Sequence, residues 1–326
     1  MIPNRRSLLA AGLALACLGS LSPREARAED PKEVRLDWAT YNPVGLLLKE
    51  KGFLEEALAP RGIKVRWVQS LGSNKALEFL NAGAIDFGSA AGAAALVARI
   101  NGNPIKAIYA YSRPEWTALV TRKDSGIAKP ADLKGKRVAV TRGTDPHIFL
   151  IRALQSAGLT ERDAKLVLLQ HPDGRTALDR GDVDAWAGLD PMMAAAEIEN
   201  GDVLFYRDAA ANTWGLLDVR EEFATAHPDL VRTVIAAYER ARAYALANPQ
   251  ALAASLVAAT KLPEPVIARQ LERTDLSQPA IGAAQAQSIK AAGTALQQAG
   301  VIPAGTDVAA AVDGLLDARF NPVAGQ

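Results

Sequence analysis

The sequence has almost nothing from which to build a covalent or metal centre. Of 326 residues one is cysteine, Cys17, and three are histidine, His147, His171 and His227. One cysteine forms no intrachain disulfide, so the hydrophobic core must hold the fold alone. The histidines form no pair at metal-ligand spacing. Gly181-Asp182-Val183-Asp184 lacks the twelve-residue ligand pattern of a calcium loop. No Gly-x-Ser-x-Gly elbow and no Walker loop appears. Lys+Arg 37 nearly cancels Asp+Glu 36, so no basic surplus supports nucleic acid as a partner. Hydrophobic residues make up 49% and charged residues 22%. That describes an ordinary globular chain of one large or two medium domains.

The first residues read as an export leader. Arg5-Arg6 precedes an apolar stretch from Leu8 to Leu21, and Ala26-Arg27-Ala28 is a small-x-small cleavage pattern. The stretch is too short and too rich in Gly and Ala for a membrane span of about 20 residues. Asn4-Arg5-Arg6-Ser7-Leu8-Leu9 resembles a twin-arginine export signal, although two arginines also suit the positive start of an ordinary secretory leader. Cys17 is a second candidate terminus, as a lipoprotein cysteine, with Ala14 where Leu is usual. Met1–Ala28 carries four Arg and one Glu, so its removal leaves a net charge of about −2 and no cysteine. A periplasmic location is expected.

Hydrophobic periodicity then alternates between strand and helix. Strands are expected at Val34–Trp38, Ile63–Val68, Ile85–Gly88 and Ile105–Tyr111, with helices at Val44–Ala59, Ser73–Ala82 and Ala93–Ile100. A second unit of the same kind places strands at Lys136–Thr141, Lys165–Leu169, Val183–Ala187 and Val203–Tyr206. Its helices run to Ala157, over Asp173–Arg180 and over Pro191–Asn200. From Val219 onward the pattern is helical, several helices opening on a proline. Strands alternating with helices predict a largely parallel sheet covered on both faces. No internal sequence repeat is visible.

In such sheets ligands bind beyond the carboxyl ends of strands, where helix N-termini present free N–H groups. The residues there are mostly small or polar: Thr40-Tyr41-Asn42, Gly72-Ser73-Asn74, Ser89-Ala90-Ala91-Gly92, Arg142 to His147, and Gly188-Leu189-Asp190-Pro191. Four stretches, in order, resemble the aliphatic-sulfonate-binding proteins of ABC importers, within the nitrate/sulfonate/taurine-binding family. They are Leu77–Ser89, Asp132–Ala139, Gly143–His147 with Leu150–Leu154, and Gly181–Pro191.

The resemblance implies an α/β type II periplasmic-binding-protein fold, two α/β lobes joined by two crossovers around a ligand cleft. Residues 29–118 would begin lobe one, 119–214 form lobe two, and 215–326 return to lobe one. The crossings are expected near Trp116–Arg122 and Ala211–Leu217. By resemblance the cleft takes Ser89, Thr144, His147, Trp186 and Asp190, with Asn42 and Trp214 at similar positions. It implies a sulfonate-like solute, an ABC permease as partner, a monomer, no nucleic acid, no cofactor or metal, and no catalytic residue. The alternatives are an enzyme on this fold, of the pyrimidine- or menaquinone-pathway type, and a periplasmic ligand sensor. An export leader weighs against the cytoplasmic enzymes.

Several of these residues have a plain structural reading. Asp145-Pro146 and Asp190-Pro191 suit helix starts, Trp186 sits in an apolar strand, and His147 falls in a first helical turn. Trp38, Trp67 and Trp116 read as packing residues, and His171 and His227 as loop residues without a role. The chain also departs from the sulfonate pattern. Thr144-Asp145-Pro146 stands where those proteins carry serines, and Ala90 and Ala91 follow Ser89. A carboxylate at Asp145 would repel a sulfonate and compete for its N–H donors.

Overall fold

The computed structural model describes residues 30–322, so the leader and Cys17 lie outside the described residues. The first unit runs β1 (Glu33–Trp38), α1 (Pro43–Lys51), α2 (Phe53–Leu58), β2 (Lys64–Gln69), α3 (Ser73–Asn81), β3 (Phe87–Ala91), α4 (Gly92–Ile100) and β4 (Ile105–Pro114). The second runs β5 (Leu119–Thr121), β6 (Arg137–Val140), α5 (Asp145–Ser156), β7 (Lys165–Leu168), α6 (His171–Arg180), β8 (Ala185–Ala187), α7 (Met192–Ala195) and β9 (Val203–Tyr206). The chain then continues through β10 (Gly215–Arg220), α8 (Glu221–Ala226), α9 (Pro228–Ala247), α10 (Pro249–Thr260), α11 (Glu264–Glu272), β11 (Thr274–Asp275), α12 (Ala283–Gln298) and α13 (Val308–Leu315).

Two separate sheets result, in the orders β11-β4-β10-β3-β1-β2 and β7-β6-β8-β5-β9. Each contains a parallel trio, β2-β1-β3 in one and β7-β6-β8 in the other. Beside each trio lies an antiparallel strand, β10 beside β3 and β5 beside β8. Both sheets are therefore mixed rather than largely parallel. The crossing expected near Ala211–Leu217 runs into β10, a central strand of the first sheet that reaches past the Val219 start of the expected helical tail, with Leu216, Leu217 and Val219 all buried.

The two units close their trios with the same device. Asp86 accepts the Arg35 backbone N–H at 2.9 Å and its guanidinium at 2.7 and 3.0 Å, while Arg35 also reaches the Gly83 carbonyl. Asp184 takes the backbone N–H of Arg137 at 2.8 Å and its guanidinium at 3.0 Å, with Arg137 reaching Gly181 O. A Gly-x-x-Asp turn thus ties each third strand to the first strand of its trio. The likeness lies in geometry, carried by so few residues that it does not register as a sequence repeat.

The expected single helix over residues 44–59 breaks at Gly52, whose φ is 65°. The left-handed turn lets α2 change direction at no steric cost. The main core gathers Leu36, Leu47, Phe87, Tyr109, Leu217 and Tyr238 from the first sheet, α1 and α9. Ile148 and Ile151 of α5, and Leu189 after β8, belong to that same cluster. Apolar side chains of the second lobe are thus packed into the first, and the lobes stand closed.

Candidate functional site

The carboxyl ends of both parallel trios point to one seam. The turn after β1 supplies Tyr41, the start of α3 supplies Ser73, and the crossover after β4 supplies Trp116. From the other side come Thr144, Asp145 and Pro146 at the start of α5, His171 at the start of α6, and Leu189. Together they line one small, partly open pocket, about 190 Å³ when the adjoining solvent space is counted. The N-termini of α3, α5 and α6 converge here with their partial positive charge, although Pro146 and Pro172 carry no N–H and the His147 N–H is bonded to Thr144 O at 3.1 Å. These partial positive charges favour an anion.

The floor on the first-lobe side is a buried polar network. Asp37 accepts Ser89 N at 2.8 Å, Ser89 Oγ at 2.7 Å and Ser70 Oγ at 2.6 Å. Burial pushes its carboxyl up to about 6, against the pull of those donors. Asn42 caps α1, accepting from Gly45 N at 2.9 Å, and its amide donates to Ser89 Oγ at 3.2 Å. The Tyr41 hydroxyl donates to Ser89 O at 3.0 Å and meets Ser70 Oγ at 3.2 Å. Ser89 and Ser70 therefore hold Tyr41, which lines the cavity, in place, and Asn42 braces Ser89.

Thr144 lines the cavity, and its hydroxyl donates to Thr141 O at 2.7 Å. Asp145 is buried and faces the crossovers, accepting from Trp116 Nε1 at 2.9 Å, Thr213 N at 2.9 Å and Thr213 Oγ1 at 2.7 Å. The carboxylate thus turns away from its own helix start, although burial raises its pKa. Helix α5 takes Thr144 as its cap residue rather than Asp145.

The other expected residues lie around this space without lining it. His147 meets Glu161 Oε1 at 2.8 Å through Nε2, within the second lobe. Trp186 is fully buried in the second-lobe core beside Ala139 and Leu178. Trp214 packs in the main core with Arg113 over its ring at 5.6 Å. Asp190 is buried beside Arg273, which reaches both its oxygens at 3.4 Å. It also accepts from Ala194 N at 2.9 Å, and burial pushes its carboxyl up to about 7.

The chain matches the family model described as NMT1/THI5 like over residues 45–252. The chain belongs to the NMT1/THI5-like family. It is 31% identical over 263 residues to an Escherichia coli K12 protein named for binding aliphatic sulfonates, covering 80% of this chain and 82% of that one. The structure of the alkanesulfonate-binding protein SsuA from Xanthomonas axonopodis pv. citri, bound to MOPS, superposes with a TM-score of 0.79 at 26% identity. It covers 87% of this chain and 99% of that one. Another relative, the 4-amino-5-hydroxymethyl-2-methylpyrimidine phosphate synthase of Aspergillus parasiticus, is 27% identical over 227 residues, 65% of each chain. The fold is thus the two-lobed periplasmic-binding-protein fold.

Sequence reasoning misses His171 and gives Trp116 only a packing role. The sequence places His171 in a loop, but α6 begins there, two residues ahead of the predicted start. The signal is Pro172 in the first turn, the same opening that marks the helices at Pro228 and Pro249. His171 is fully buried and, among the described residues, neither ring nitrogen has a hydrogen-bond partner. It meets the first lobe at Gly72, where an added Cβ would lie 3.1 Å from His171 Nε2 and 2.9 Å from Asn74 Oδ1. The Gly72 φ of 171° suits any residue. Gly72→Ala is therefore expected to leave melting of the empty protein nearly unchanged, yet weaken solute binding by about tenfold by wedging the seam, ~1.4 kcal/mol. Paired melting curves and calorimetric titrations check this.

Proposed function

We propose that this chain is the exported solute-binding component of an ABC importer, taking a small sulfonate-like oxyanion by closure of its two lobes and presenting it to a permease. The observation that carries the reading is the seam itself. Three helix N-termini and a buried, unpartnered histidine border one small cavity, and hinge closure around a ligand is how such two-lobed proteins act. The names of the sulfonate-binding relatives supply the solute class. The twin-arginine pattern supports export in folded form, and action as a monomer remains part of the same proposal.

The cavity suits binding rather than turnover. Ser73 Oγ accepts from Ala91 N at 3.0 Å, and Thr144 Oγ1 donates to a carbonyl. Neither hydroxyl is hydrogen-bonded to His171, so no nucleophile–base pair is assembled. Among the described residues no group of three or more His, Asp or Glu is placed to hold a metal.

The test is a thermal-shift and calorimetric panel of ethanesulfonate, taurine, nitrate, putrescine and 4-amino-5-hydroxymethyl-2-methylpyrimidine. A solute that binds only the folded protein stabilises it by about 2.7 kcal/mol at a hundredfold excess over Kd. Ethanesulfonate or taurine is expected to raise the melting temperature. Silence from both sulfonates with a response to putrescine would sink the oxyanion reading, and consumption of the pyrimidine would replace binding with catalysis.

A further inference from the structure

His171 is polar, fully buried and borders the cavity, yet among the described residues nothing bonds to either of its nitrogens. A buried polar group without a partner costs about 1–3 kcal/mol, which a hydrogen bond to a solute would recover. Its environment also selects its charge. It is the first residue of α6, where the helix dipole opposes a cation. The starts of α3 and α5 border the same space and act in the same sense.

Among the described residues no carboxylate is paired with His171. Of the ionisable groups in the cavity, Asp145 is committed to Trp116 and Thr213, and Tyr41 to Ser70 and Ser89. On α3, Lys75 is paired with Glu78 at 2.7 Å. On α6 itself Asp173 is exposed and Arg175 is paired with Glu199. On either side of α7, Asp190 and Glu197 are held by Arg273. Arg142, at the mouth before α5, is exposed. His147, the other buried histidine, differs in having Glu161 beside it.

We propose that His171 is a solute-contacting gate: a neutral imidazole that donates an N–H to the bound oxyanion and must be free of its second proton before the lobes shut. The proposal rests on the oxyanion reading above. With the lobes shut, burial pulls the imidazole down to about 3, whereas in an open, hydrated cleft it titrates near the ordinary value of about 6.5. The closed form is thus favoured above pH 6.5 and loses ground as pH falls below it. Capture therefore weakens in acid, although a sulfonate remains ionised throughout. The rival arrangement is an imidazolium paired with the anion, which would strengthen capture in acid.

The experiment is calorimetric titration of ethanesulfonate and taurine into the wild-type protein, His171→Asn and His171→Phe between pH 5.5 and 7.5, with a melting curve for each variant. Asparagine keeps an N–H donor that does not titrate, and phenylalanine removes the donor. Wild-type affinity is expected to fall about tenfold from pH 7.5 to 5.5, and His171→Asn by less than threefold. At pH 7.5 His171→Phe is expected to bind at least tenfold more weakly than wild type. The wild-type and asparagine comparison removes the contributions of Asp37, Asp145 and Asp190, the buried acids common to both proteins, and stands even if the phenylalanine variant fails to fold. Parallel pH profiles in wild type and His171→Asn, or stronger wild-type binding in acid, would overturn the gate while leaving the oxyanion reading intact. Absence of binding by both sulfonates at every pH would overturn that reading and the gate with it.

Discussion

Asp145→Ala is expected to destabilise the protein by about 3–5 kcal/mol, while Asp145→Asn stays within about 1 kcal/mol of wild type. The carboxylate sits where both chain crossings meet. Trp116, after β4, and Thr213, before β10, give it three hydrogen bonds of 2.7 to 2.9 Å. The crossings are also stitched to each other, Thr117 N donating to Asn212 Oδ1 at 2.9 Å and Asn212 Nδ2 to Thr117 O at 3.4 Å. Thr213 Oγ1 accepts in turn from Ala93 N at 3.2 Å, linking the start of α4 in one lobe to α5 in the other. Alanine strands buried donors, each costing about 1–3 kcal/mol. Asparagine can keep Oδ1 on Trp116 Nε1 and Thr213 N, and the Thr213 hydroxyl rotates to accept the new amide while still accepting Ala93 N. It also removes a charge that burial disfavours. Denaturant or thermal unfolding of the three proteins checks the order. Equal losses in both variants would mean that the negative charge, rather than the acceptor geometry, holds the crossings.

That role for Asp145 was beyond the reach of sequence because its partners are 29 and 68 residues away. Local spacing gives helix starts, and the Asp-Pro pair fits one, but spacing says nothing about where a side chain turns. Legible features are those set by neighbours in sequence. The alternation of strands and helices, the proline-opened helices of the tail and the strand-end location of the cleft all come from periodicity and caps. Trp186 shows the opposite limit. An alternating strand has two faces, and which one meets the cleft depends on α6, whose Gly174 leaves just enough room for the indole, with a Cβ there only 2.8 Å from Trp186 Nε1. His171 was within reach, since Pro172 gives the helix start and the end of β7 gives the location. Its lack of a partner, the property that makes it interesting, belongs to the folded seam alone.

Arg273→Met is expected to cost about 3–5 kcal/mol at pH 8, the usual penalty for removing one member of a buried ion group, and distinctly less at pH 5. Arg273 follows α11 on the first-lobe side, and its guanidinium reaches Asp190 at 3.4 Å and Glu197 on the second. Its side chain is 5% exposed and that of Asp190 is 2% exposed, so water replaces neither partner. The pH sign follows from Asp190, which burial pushes up to about 7 from an ordinary value of 3.8. The folded protein therefore holds this proton more tightly than the unfolded chain does. Its contribution to stability is full below about pH 4 and is lost as pH rises through 7. At pH 5 Asp190 is neutral in wild type and variant alike, and Glu197 is the partner the arginine still neutralises there. At pH 8 Asp190 is charged in wild type, and methionine leaves it buried beside Glu197 without a cation. A second change, Asp190→Asn, made together with Arg273→Met, is expected to recover most of the loss at pH 8. Thermal melts of wild type, both single variants and the double variant at pH 5 and pH 8 decide the matter. A loss independent of pH would assign Arg273 to packing between the lobes. Because the pair spans the seam, the same variants also report on closure: where the latch fails, solute affinity should fall with stability at pH 8 and not at pH 5.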